Sequence, residues 1–182
     1  MIDLRGKRIL VTGGSRGIGR ATALLAARAG ADVGVLYHTR RTEAEQVARE
    51  VRALGRRAYV GGGDLADADR VAQLVSEVRA AFGALDGVVI NHGTWPPVET
   101  PLVGMAPERW RRTMRTNLDA VFLVARAALG VMEPGGRMVM VSSTAGQRGE
   151  ARHADYAAAR GARIAPRKSL AIGAARGPTV KA

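Results

Sequence analysis

The chain contains no cysteine, which excludes disulfides and thiolate metal sites. Histidine is scarce as well, with three residues and no metal-ligand spacing among them. No apolar run approaches the length of a membrane span. The first residues, Met1-Ile2-Asp3-Leu4-Arg5-Gly6, lack the pattern of a signal peptide. The expectation is a cytoplasmic enzyme or binding protein. Acidic residues are in deficit, 16 against 28 Lys and Arg, for a net charge of +12. Residues 1–146 contribute +6, from 20 basic and 14 acidic side chains, and residues 147–182 contribute another +6. Half the excess therefore lies in the last fifth of the chain. A basic surface attracts nucleic acid or anionic cofactors. Aromatic residues do not interleave with the basic ones, so nucleic acid is not the expected partner.

With 182 residues the chain is long enough for one domain with a sizeable core. Arg8-Ile9-Leu10-Val11-Thr12 is a short apolar run ending in glycines and predicts a buried strand. A helix is expected over 17–29, with Gly30 closing it. Strands follow at Asp32–Tyr37, Ala58–Gly61, Leu85–Asn91 and Gly136–Ser142. Helices are expected over 42–54, 67–82, 107–131 and 154–175. Strands alternating with helices imply right-handed crossovers and a doubly wound, parallel, Rossmann-like α/β sheet.

The turn between the first strand and first helix is Thr12-Gly13-Gly14-Ser15-Arg16-Gly17-Ile18-Gly19. Phosphates reach a helix N-terminus only where the strand turns sharply into the helix. There they meet free N–H groups and the positive end of the helix dipole. Glycines permit both the turn and the close backbone approach. A dinucleotide site is expected here, carried by Gly13, Ser15, Arg16, Gly17, Ile18 and Gly19. An NAD site usually offers a carboxylate at the end of the second strand. This chain has Tyr37-His38-Thr39-Arg40-Arg41 there.

The spacing Gly-x-x-x-Gly-x-Gly resembles that of the short-chain dehydrogenase/reductase family, and among its members the 3-oxoacyl-carrier-protein reductases most. Asp64-Leu65 resembles the family's adenine-contacting Asp. Asn91-His92-Gly93 resembles its Asn-Ala-Gly, with His in place of Ala. Asn117 looks like its helix Asn, and Ser143 and Tyr156 stand at its catalytic spacing of thirteen residues. The resemblance implies an NADP(H) cofactor, with Arg16 placed for a 2′-phosphate. It implies a carbonyl substrate, either a small molecule or bound to an acyl carrier. It assigns Asp64, Leu65, Asn91 and Gly93 to the cofactor and Asn117, Ser143, Tyr156 and position 160 to catalysis. In that scheme the Tyr donates a proton to the carbonyl, the Ser orients it, and the Asn holds a water that feeds protons. A neighbouring cation favours the phenolate.

The sequence departs from the family's pattern in the same region. Arg160 stands where the family has the Lys of Tyr-x-x-x-Lys. It keeps the charge but cannot release a proton. Arg163 replaces a small or apolar residue. Pro166 is expected in mid-helix, at a cost of about 3 kcal/mol. The resemblance puts this helix at a subunit interface, so Arg163 and Pro166 argue against a homo-oligomer. The chain stops at Ala182, where a sixth strand should be forming. About five strands are expected, without the family's last two, and the fifth strand is expected as a sheet edge. Two functional readings follow: a reductase with impaired turnover, or a catalytically inactive nucleotide-binding remnant or partner protein.

Overall fold

A computed structural model describes residues 2–165 and 179–181. Pro166, Lys168-Ser169-Leu170-Ala171-Ile172 and Arg176-Gly177 lie outside the described residues. The sheet is built from β1 (Arg8–Thr12), β2 (Asp32–Tyr37), β3 (Ala58–Gly62), β4 (Leu85–Ile90), β5 (Met132–Met140) and β6 (Thr179–Lys181). All pairings are parallel, in the order β3-β2-β1-β4-β5-β6. The doubly wound parallel sheet is as expected, and only the reading of β5 as its edge is corrected. Thr179–Lys181 aligns with Arg137–Val139 of β5 and extends the sheet by one short strand.

Two apolar layers sandwich the sheet. On one face α1 (Gly17–Arg28) and α2 (Arg41–Ala53) pack through Ala23, Leu24, Ala27, Val47 and Val51 onto Val11, Val33 and Val35. On the other, α3 (Ala68–Phe82) and α5 (Ala120–Leu129) pack through Leu74, Val78, Val121 and Val124 onto Leu10, Leu36, Val88 and Met138. Neighbours along β1 and β2, Leu10 and Val11, Val35 and Leu36, go to opposite layers, as the strand period of two requires. Helix α3 starts where it does because Asp67 caps it, accepting from the backbone N–H groups of Asp69 and Arg70.

The expected long helix 107–131 is broken. It comprises α4 (Pro107–Met114), a π-turn at Arg115–Asp119, and α5. A π-turn widens the spiral by one residue and frees carbonyls from the helical ladder. Asn117 donates its amide to one of these, the carbonyl of Thr113, at 3.2 Å. After β5 the chain makes a short helix, α6 (Thr144–Arg148), and then α7 (Ala154–Gly161).

Candidate active site

In a doubly wound sheet, ligands bind beyond the carboxyl ends of the strands, where strand order reverses. Here the reversal lies between β1 and β4. A cleft of about 460 Å³ opens there. Its walls include Gly13, Ser15, Arg16, Gly17 and Ile18 after β1, Tyr37–Arg40 after β2, and Asp64 and Leu65 after β3. Asn91, His92, Gly93 and Thr94 follow from β4. All the residues expected at the cofactor except Gly19 thus line one cleft.

The glycine turn is tight. A Cβ on Gly19 would lie 2.1 Å from the Gly13 carbonyl oxygen and 2.7 Å from Asn91 Nδ2. Only hydrogen fits. Asn91 Nδ2 in turn donates to the Gly13 carbonyl at 3.3 Å and ties the β4 end to the turn. No side chain caps α1, and its first turn holds no acid. Its N–H groups and dipole are therefore open to an anion. Arg16 is exposed and forms no ion pair among the described residues. Arg40 is engaged by Glu43 at 2.8 Å. Glu43, in the first turn of α2, is a carboxylate that strand-end reasoning missed. Asp64 pairs with Arg115 at 2.8 Å, and its other oxygen accepts from the Ala66 N–H. Burial raises the Asp64 pKa, but these partners more than offset that and hold it below the usual range.

His92 fills the place that the resemblance gives to Ala. The Thr12 hydroxyl oxygen accepts from the N–H groups of Asn91 and His92. The same hydroxyl lies 2.7 Å from His92 Nδ1 and 3.5 Å from the Val89 carbonyl, which can accept its hydrogen. His92 Nε2 is buried without a partner among the described residues. Burial, then the charges of Arg163 and Arg160, push its pKa down to about 3.

Asn117 is 1% exposed. Its amide also donates to the Thr94 carbonyl and its Oδ1 accepts from the Thr94 N–H, so it fixes the loop after β4. Ser143 opens α6 and its Oγ accepts from the Ala145 N–H. Tyr156, early in α7, lies under Trp95, edge to face at 4.8 Å, while Trp95 stacks on His153 at 4.1 Å. The Tyr156 hydroxyl has no partner among the described residues. Asp155, fully buried, accepts from Arg109 at 3.0 Å and from the Thr113 hydroxyl at 2.8 Å, joining α7 to α4. Burial alone would raise its pKa, but Arg109 and Thr113 hold it below the usual range. Trp95, His153 and the Arg109–Asp155 pair carried no sequence signal, since each depends on contacts across about 40 to 60 residues of chain.

Arg160 turns its guanidinium over the Tyr156 ring, 4.9 Å from the centroid, and donates through Nη1 to the Val141 carbonyl. Arg163 is 1% exposed. It donates Nε to the Asn117 carbonyl at 2.7 Å, Nη1 to Val141 at 2.8 Å and Nη2 to His92 at 3.2 Å. It therefore braces the π-turn and the ends of β4 and β5. Burial and the charge of Arg160 push its pKa down to about 9. Among the described residues no group of His, Asp and Glu is arranged to hold a metal, and no helix is long and apolar enough to cross a membrane.

The fold and cleft have known counterparts. A solved short-chain dehydrogenase from Burkholderia cenocepacia in complex with NADP superposes with a TM-score of 0.91 at 38% identity, covering 97% of this chain and 72% of that one. A dehydrogenase/reductase from Sinorhizobium meliloti gives 0.92 at 33%, covering 98% and 71%. The hydroxynaphthalene reductase arp2 of Aspergillus fumigatus is 37% identical over 163 residues, 88% of this chain but 58% of that protein. A 3-oxoacyl-[acyl-carrier-protein] reductase of Synechocystis sp. is 37% identical over 185 residues, 100% of this chain and 74% of that protein. The chain thus spans about three fifths to three quarters of these curated relatives. The model of the short chain dehydrogenase family matches residues 7–177, and with the parallel sheet and the glycine turn this places the chain in that family of oxidoreductases.

Proposed function

We propose that this single domain binds NADP(H) in the cleft and serves carbonyl reduction with impaired turnover. The observation that carries the reading is the uncapped N-terminus of α1 behind Gly13–Gly19, with Arg16 unpaired beside it. The cradle fits a pyrophosphate, because Gly19 leaves only room for hydrogen between turn and helix. The turn amides would hold the phosphates and Arg16 the 2′-phosphate. Asp64 and Leu65 would hold the adenine, and Asn91 and Gly93 the riboses. The NADP bound to the Burkholderia relative supports this choice of cofactor.

When bound, NADPH supplies a hydride to a carbonyl carbon. The chain's own part is to orient that carbonyl and to provide its proton. Tyr156, with its hydroxyl free, donates the proton to the carbonyl oxygen, and Ser143 orients the substrate. Resupply of that proton is where the site falters. Arg160 has no proton to give at working pH. The Asn117 carbonyl, which would seat a water, already accepts from the Arg163 guanidinium. The relatives' names point to 3-oxoacyl or related carbonyl substrates. The second reading, a nucleotide-binding remnant without turnover, is favoured by that same Arg163 contact.

The test is NADPH oxidation with an acetoacetyl thioester. A rate roughly a hundredfold below that of an ordinary reductase is expected, the size of a general acid–base contribution. An ordinary rate would contradict the impairment, and no rate at all at saturating NADPH would favour the remnant.

A further inference from the structure

Among the side chains that line the cleft, Arg16, His38 and Arg40 are basic and Asp64 is the one acid. Asp64 is held by Arg115. The acid that reaches Arg40 comes from behind the wall. Arg40 donates Nη1 to Glu43 Oε1 at 2.8 Å. That is the one hydrogen bond its guanidinium makes among the described residues.

Arg40 immediately precedes α2, and Glu43 lies in its first turn. A carboxylate there is favoured by the free N–H groups and the positive end of the helix dipole. The Arg40 guanidinium first, then the backbone N–H of Glu43 itself and the charge of Arg16, hold the Glu43 carboxyl below its usual range. Glu43 is therefore ionised at neutral pH, and its charge is felt at both arginines of the wall.

The pair opens easily. The two side chains are 48% and 43% exposed, and an exposed pair of this kind contributes little to stability. Glu43 offers Arg40 one oxygen. A phosphate offers a guanidinium two oxygens at once and a larger charge. Glu43 keeps its helix N-terminus when Arg40 leaves it, so the exchange strands no charge.

We propose that Glu43 is a positioning residue that sets the cofactor preference of the cleft: it holds Arg40 back, and a 2′-phosphate releases Arg40 by taking the carboxylate's place. This rests on the reading of the cleft as a dinucleotide site. NADH carries a 2′-hydroxyl and leaves the pair closed. The cost of opening it falls on NADPH alone, so Glu43 narrows the preference that Arg16 creates.

The test is calorimetric titration of the whole chain with adenosine 2′,5′-bisphosphate and with 5′-AMP, which differ only in the 2′-phosphate. Glu43→Gln should tighten the bisphosphate at least about threefold and leave 5′-AMP unchanged. In an Arg40→Ala background the same substitution should give no gain. Glu108→Gln removes another exposed carboxylate, one paired with Arg111 on α4, and should change neither ligand. A purely structural role of Glu43 would move both ligands together, and that result would overturn the proposal. So would an unchanged bisphosphate affinity in Glu43→Gln, or a gain that persists without Arg40. If the native chain binds neither nucleotide, the dinucleotide reading falls and the proposal falls with it. If every variant binds both nucleotides alike, the proposal alone falls.

Discussion

His92 shows how one residue couples the site to pH. In the folded chain it is neutral, with its pKa pushed down to about 3, whereas an unfolded histidine titrates near 6.5. Between these values the unfolded chain binds a proton that the fold refuses. The stability is therefore fully present above about pH 6.5 and is lost as pH falls toward 3. The slope contributed is at most about 1.4 kcal/mol per pH unit. Urea unfolding at pH 7.5 and 5.5 should show this loss, and His92→Ala should flatten it. A variant with the same slope as the native chain would remove His92 as the cause. The departure at position 92 was legible in the sequence as His for Ala. Its hydrogen bond was not, because the partner, Thr12, lies 80 residues away. The glycine turn, by contrast, was readable in full. Its signal is local, and the Gly19 cradle needs no distant residue to specify it beyond Asn91.

At the scale of elements, α7 is held to α4 by the Arg109–Asp155 pair. Both members are largely buried, so removing one strands the other's charge. Asp155→Ala should cost about 3 kcal/mol, measured by urea unfolding at pH 7, and Arg109→Met in the same chain should recover part of it. The π-turn matters more for chemistry. Arg163 draws the Asn117, Val141 and His92 carbonyls onto one guanidinium. Arg160→Lys alone should therefore raise NADPH oxidation only slightly. Arg160→Lys with Arg163→Met should raise it roughly a hundredfold, the size of a restored general acid–base relay. Equal gains from the single and double variants would show that Arg163 is not the block. The broken helix and the brace were illegible for one reason. Residues 107–131 have a helical pattern throughout, and nothing in that pattern marks where a carbonyl will be claimed by a residue 46 positions on. That the sixth strand already pairs with β5 was hidden for a related reason. Three residues carry little periodicity, and β6 is defined by its pairing with β5.

At the scale of the whole molecule, two cationic regions do different work. Arg16 stands in solvent at the glycine turn of the cleft, and Arg160 and Arg163 are buried behind the ends of β4 and β5. The net charge of +12 is therefore a poor guide to function, since placement decides what each charge meets. The glycine-turn end is proposed as an NADP(H) site whatever becomes of the reaction. The direct test is a binding titration of NADPH against NADH, with the native chain and Arg16→Ala. NADPH is expected to bind at least tenfold more tightly than NADH, and Arg16→Ala to remove about a factor of ten from that preference, the equivalent of about 1.4 kcal/mol. Equal affinity for the two, or binding of neither, would contradict it.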